Sequence, residues 1–224
     1  MVRLLYRLVR WFWGLVFQLL YYPLAPLYDK ISYYGFLGQW SKWQQAVLPR
    51  LQGKRVLEVG CGTGSLLLVM LQRGYNACGV DASGAMLAQA RKKLDKAGYS
   101  GRVVRGRVQK LPFPDDSFET VVSTFPSEYI INLDSLKEIQ RVLYPGGKLL
   151  IVDTAILKPF DKRARFLLKL YGLVGVWGGG SNQKPDLAHT TFRLPLDEAG
   201  FIRRDETFED EQGEAHIIIA LKAW

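Results

Sequence analysis

From Lys54 onward, short β-rich apolar runs alternate with helical stretches, the texture of an α/β domain. Arg55-Val56-Leu57-Glu58-Val59 reads as a buried strand, and Ser65-Leu66-Leu67-Leu68-Val69-Met70-Leu71 as the helix beyond it. Asn76 to Val80 is a second strand ending at Asp81, Arg102 to Arg105 a third, and Phe118 to Ser123 a fourth. These elements predict a doubly wound, mainly parallel sheet with helices on both faces.

The first fifty residues have another texture. Arg3, Arg7, Arg10, Gly14 and Gln18 fall on one stripe of a helix at about 100° per residue, and the other positions are almost all aliphatic or aromatic. Only twelve residues separate Arg10 from Pro23, Gln18 among them, whereas a span needs roughly 20 apolar residues. No small-x-small cleavage site lies near Ala25. The stripe fits a helix lying in the membrane plane, arginines toward phosphates; docking on the chain's own core or on a partner is the alternative. Trp40 and Trp43 follow on a helix expected to end at Pro49. We therefore divide the chain into an amphipathic, aromatic segment 1–50 and a domain 51–224 with an insertion at 158–195. That insertion carries a second basic-aromatic stretch, Lys162 to Tyr171, then Trp177 and a triple glycine that suits a lid.

Charge adds a direction. The chain has 30 Lys and Arg against 21 Asp and Glu, for a net charge of +9, with the excess in the first 110 residues. An anionic partner is implied, either a membrane surface or nucleic acid. Two cysteines exclude a disulfide scaffold, and with two histidines they leave too few ligands for a zinc site, so no metal is expected.

The first strand runs into Gly60-Cys61-Gly62-Thr63-Gly64. Glycines at a strand-to-helix turn let a ligand approach the backbone, and the helix start offers free N–H groups. A dinucleotide fold would place the third glycine one residue later. Asp81, at the end of the second strand, suits both hydroxyls of a ribose; its alternative use is a helix N-cap.

Together with Gly79-Val80-Asp81-Ala82-Ser83, Leu111 to Phe118 and Ile139 to Leu149, this loop resembles the motifs of class I S-adenosylmethionine-dependent methyltransferases. The likeness is nearest to the ubiquinone/menaquinone-biosynthesis and phospholipid N-methyltransferase branch. It implies seven strands ending in an antiparallel hairpin, which Phe201 to Glu209 and Glu214 to Leu221 fit. It also implies S-adenosyl-L-methionine as cofactor, with Gly60, Cys61, Gly62, Thr63 and Gly64 beneath the methionine part and Glu58 on its amino side. Asp81 would hold the ribose, with Ala82 and Met86 against the nucleoside and Thr124 at the end of the fourth strand completing the set. Glu58 has a bland alternative, pairing with Arg55. One position departs from the pattern: after the third strand stands Arg107, which has only donors, where an acid should accept from the adenine amino group. Arg107 would instead stack on the purine, leaving the Val108 backbone or Gln109 to read that group; a weakened site is the alternative.

On the acceptor side, Thr124 to Tyr129 lacks the D/N-P-P-Y/F pattern of enzymes that methylate nucleic-acid bases. Candidate catalytic residues are Glu128, Tyr129 and His189, with His216 in the terminal strand. Tyr28, Tyr33, Tyr34 and Trp177 are candidates to roof the substrate. The expectation is a cytoplasmic, membrane-peripheral methyltransferase with a hydrophobic or lipid-like acceptor. A nucleic-acid methyltransferase using Arg91, Lys92, Lys93, Arg102, Arg105, Arg107 and Lys110, or a non-catalytic membrane scaffold, is the alternative.

Overall fold

The computed structural model describes residues 18–173 and 194–223. Seven strands form one sheet: β1 (Arg55–Val59), β2 (Asn76–Asp81), β3 (Val103–Arg105), β4 (Phe118–Thr124), β5 (Leu143–Leu157), β6 (Phe201–Glu209) and β7 (Gly213–Lys222). Their order is β3-β2-β1-β4-β5-β7-β6, parallel except for β7, which runs antiparallel to both β5 and β6. The expected terminal hairpin is present. Asp210 shapes its turn, accepting the backbone N–H groups of Gln212 and Gly213 at 2.8 Å each.

The helices are α1 (Tyr28–Gly35), α2 (Gln39–Gln45), α3 (Ser65–Gln72), α4 (Gly84–Lys96), α5 (Leu133–Val142) and α6 (Lys162–Leu173). The central strands bury runs of apolar residues such as Val56-Leu57 and Val121-Val122 because helices cover both faces of the sheet. One core lies beneath α2, α3 and α4, holding Trp43, Leu67, Met70 and Leu87; the other lies beneath α5, holding Leu136, Ile139 and Val142. Asn132 caps α5 by accepting from the N–H groups of Asp134 and Ser135. The helix carrying Trp40 and Trp43 is shorter than its sequence suggests. It stops at Gln45, and a 3-10 turn over Leu48–Arg50 holds Pro49, whose ring disfavours α geometry in the residue before it.

The strand order reverses beside β1, so the carboxyl ends of β1, β2 and β4 open a crevice. Residues 18–21, helical, and α1 and α2 lie over that crevice. The arginines of the predicted stripe, together with Trp177 and His189, lie outside the described residues.

Candidate functional site

The glycine loop is folded back onto β2: the N–H groups of Gly60 and Cys61 both donate to the Val80 carbonyl, at 2.7 and 3.1 Å. Gly60, Gly62 and Gly64 have φ of +69°, +54° and +71°, a region that glycine enters without penalty. Two of them are also packed tightly. A Cβ on Gly60 would lie 2.5 Å from Tyr129 Oη, and one on Gly64 3.1 Å from Ala90 Cβ. At Gly62 nothing lies within 4 Å, so the backbone there faces open space. Cys61 turns its buried sulfur toward Gly79 and Leu67, and burial pushes its thiol pKa up; it serves the site through its backbone and its place in the wall.

The loop is the floor of two adjoining chambers. The larger, of about 770 Å³, is lined by Asp81, Ala82, Arg107, Val108, Gln109, Glu128 and Tyr129, among others. The smaller, of about 410 Å³, lies under Tyr28, Tyr33, Trp40 and Gln44 and reaches Gly62 and Thr63. Gly60, Thr124, Phe125, Pro126 and Tyr21 border both.

Asp81 Oδ2 accepts the Gly62 N–H at 2.8 Å and Oδ1 the Ser83 N–H at 2.7 Å. Burial nevertheless raises its pKa above the ordinary aspartate value. Each oxygen keeps a lone pair for a ligand in the larger chamber. The helix cap of α4 is Ser83, not Asp81. Glu58 does not meet Arg55, which pairs with Glu119 and lies on the Tyr144 ring. Instead Glu58 is buried with Oε2 lacking any partner, and burial, with the charge of Asp81, lifts its pKa to about 8. Met86 of α4 is fully buried and lies outside both linings.

The roof is fastened to the floor. Asp29 of α1 accepts from Thr63 Oγ1 at 2.6 Å and from Lys93 Nζ at 2.7 Å, and Lys93 also reaches Ser65 Oγ at 2.6 Å. Trp40 of α2 stacks on Phe125 at 4.1 Å, and Gln44 donates to Thr124 Oγ1 at 3.2 Å. Phe125 holds φ of +49° directly after β4, a strained conformation for a non-glycine residue and one that clusters at functional sites. Tyr28 and Tyr21 meet edge to face at 5.8 Å, both with pKa values raised by burial. Tyr33 lines the smaller chamber, whereas Tyr34, 72% exposed, lies outside both linings.

The proposed bases fare unequally. Tyr129 donates to the Val59 carbonyl at 3.2 Å and accepts from Ser123 Oγ at 2.8 Å. Burial raises its pKa, so its hydroxyl braces Gly60 and stays protonated. Glu128 is exposed at the rim of the larger chamber. Sequence reasoning missed Asp29, Tyr21, Phe125 and Asp153, all of which border a chamber. Asp29 and Asp153 reach it through tertiary contacts that no local motif announces.

Residues 57–151 match the family model described as a methyltransferase domain. A demethylmenaquinone methyltransferase of Symbiobacterium thermophilum is 30% identical over 161 residues, covering 68% of this chain and 63% of that protein. A sterol 4-C-methyltransferase of Caenorhabditis elegans is 36% identical over 109 residues, covering 47% of this chain and 33% of that protein. The chain thus spans less than two thirds of the curated relatives it matches. Among solved structures, a Methanococcus maripaludis protein assigned as an S-adenosyl-L-methionine-dependent methyltransferase shares the fold, with a TM-score of 0.63, 22% identity, and coverage of 89% of this chain and 92% of that one.

Proposed function

We propose that this chain, built on a methyltransferase domain, transfers a methyl group from S-adenosyl-L-methionine to a hydrophobic, quinone-like acceptor at a membrane surface. The observation that carries the reading is the pair of chambers meeting at Gly60, Thr124 and Phe125, with the Asp81 carboxylate in one and an aromatic roof over the other.

The open space above Gly62, the available lone pairs of Asp81 and the unpartnered Oε2 of Glu58 fit that cofactor. Asp81 holds the ribose diol, with Ala82, Val108 and Gln109 around the adenine and Arg107 against its face. Gly60, Gly62, Thr63 and Gly64 give backbone support to the methionine part, Glu58 balances its ammonium group, and Met86 props the nucleoside side from below. When bound, the cofactor supplies an electrophilic methyl group on a sulfonium. The chain's task is to bring the acceptor to the shared border of the chambers, to exclude water there and to take up a proton. The curated relatives named for demethylmenaquinone and sterol favour a hydrophobic acceptor.

The membrane part rests on the exposed apolar side chains of α1 and α6. Ile31 and Tyr34 of α1 and Phe166 and Leu170 of α6 are exposed, with Lys30, Lys162, Arg163, Arg165 and Lys169 on the same helices. Tyr171 donates to the Gly35 carbonyl and packs near Phe36, which joins α6 to the end of α1. Among the described residues no helix is long and apolar enough to cross a membrane. Several cations that would contact nucleic-acid phosphates are engaged internally: Lys93 with Asp29, Arg102 with Asn76 and Arg105 with the Ala82 carbonyl.

Calorimetry with S-adenosylhomocysteine tests the cofactor. Asp81→Asn should weaken binding by roughly two orders of magnitude, from two charge-assisted hydrogen bonds at about 1.5 kcal/mol each. No binding by the unmodified protein would overturn the reading. Flotation with anionic vesicles tests the membrane part, and Tyr34→Glu with Phe166→Glu should abolish it.

A further inference from the structure

Asp153 stands where β5 carries one residue more than its partner. Pairing runs from Val152 opposite Ile217 to Thr154 opposite His216, leaving Asp153 out of the ladder. Such a bulge re-aims a side chain and recurs beside active sites. Here Asp153 forms part of the wall of the smaller chamber, with its side chain 1% exposed. Oδ1 lies 2.8 Å from His216 Nδ1, whereas Oδ2 has no partner. A buried carboxylate oxygen left unsatisfied is costly. The other described carboxylate of this chamber, Asp29, is already taken up by Thr63, Ser65 and Lys93.

Behind Asp153 the charges continue across the sheet. His216 Nε2 lies 3.1 Å from Asp205 Oδ1, and Arg203 clamps that carboxylate at 2.7 Å. Asp205 is 44% exposed, so a line of charged groups crosses β5, β7 and β6 from chamber to solvent. The neighbouring carboxylates outweigh burial and raise the pKa of His216. With Nδ1 on Asp153 and Nε2 on Asp205, the ring is held between two carboxylates and fixes the plane of the Asp153 carboxylate.

We propose that Asp153 is the proton acceptor of the site, its Oδ2 receiving the hydrogen bond and then the proton of a hydroxyl carried on the aromatic ring of the acceptor, with His216 as its positioning residue. The inference rests on reading the smaller chamber as the acceptor side of a methyltransferase. The hydroxyl O–H bond breaks, an O–H bond forms on Asp153 Oδ2, and the electron pair left on the acceptor oxygen enriches the ring. The ring C–CH3 bond forms as the S–CH3 bond breaks, and the C–H bond at that carbon then breaks, its proton passing to the acceptor oxygen to restore the aromatic hydroxyl. Water entering after product departure carries the proton away from Asp153.

The test uses the full chain saturated with S-adenosylhomocysteine and two probes, 1-naphthol and 1-methoxynaphthalene, which differ in the hydroxyl proton. The unmodified protein should bind 1-naphthol about tenfold more tightly. Asp153→Asn should bring the ratio near one while S-adenosylhomocysteine affinity stays within twofold, and Asp153→Glu should restore part of the preference. In turnover of 1,4-naphthalenediol, Asp153→Asn should lower kcat by about a hundredfold or more. His216→Gln should lower kcat with KM within twofold. A failure of the unmodified protein to bind S-adenosylhomocysteine would overturn the underlying cofactor reading. S-adenosylhomocysteine binding with no preference for 1-naphthol, or a preference unchanged in Asp153→Asn, would overturn the assignment of Asp153 alone.

Discussion

At the scale of single residues, Gly62 separates stability from binding. Its φ of +54° penalises any side chain, yet a Cβ would meet open space. Gly62→Ala should therefore cost only about 1–2 kcal/mol of stability, the penalty of a left-handed residue. On the proposed placement the new methyl group would stand where the methionine part lies, so calorimetric affinity for S-adenosylhomocysteine should fall by far more than the shift in Tm suggests. Glu58 makes a complementary case through pH. Its carboxyl titrates near 4.5 in the open chain and at about 8 when folded, so the native state binds the extra proton between those values. Stability consequently declines as pH rises from 4.5 toward 8. Glu58→Gln should be more stable than the parent by roughly 3 kcal/mol at neutral pH, with the difference vanishing in acid below the open-chain value. Urea unfolding at pH 4 and pH 7 checks both the sign and the window. The glycines and Asp81 were legible in the sequence because their chemistry is local: a turn, a positive φ, a carboxylate at a strand end. Glu58 was recognised too, but the isolation of its Oε2 is a property of the folded interior.

At the scale of elements, the decisive contact is between α1 and the glycine loop. Asp29 is the sole acid among the first fifty residues, and it joins Thr63, Ser65 and Lys93 from elements far along the chain. Asp29→Asn removes the charge of a half-exposed ion pair, worth under about 1 kcal/mol of global stability. Local opening should respond more strongly: amide hydrogen exchange across α1 and α2 should quicken while the strands of the sheet stay protected. Equal exchange in both proteins would show that the contact does not fasten the roof. Strands β1, β2 and β4 were readable because burial on both faces gives them short apolar, β-rich runs such as Val56-Leu57 and Val121-Val122. The bulge in β5 was not, since the extra residue shows only against the register of β7. For the same reason His216 looked like an isolated histidine, although its partners stand on the two neighbouring strands.

At the scale of the whole molecule, the basic excess and the exposed aromatic rings act together. Raising salt should weaken binding to anionic vesicles by screening the lysines and arginines, while the residual binding should track the aromatic side chains of α1 and α6. Vesicle sedimentation over a salt series checks this, and binding indifferent to both salt and Phe166→Glu would contradict it. The doubly wound sheet and its terminal hairpin followed from pattern and resemblance, whereas the division of the crevice into two chambers depends on how the N-terminal helices close over it. That closure has a kinetic consequence. Asp29 ties the covering helices to the glycine loop on which we propose that the cofactor lies, so loading and unloading of that cofactor should require the tie to break. Steady-state rates should then follow a compulsory order, nucleoside first in and last out, with the demethylated form lingering as a strong product inhibitor that paces the cycle.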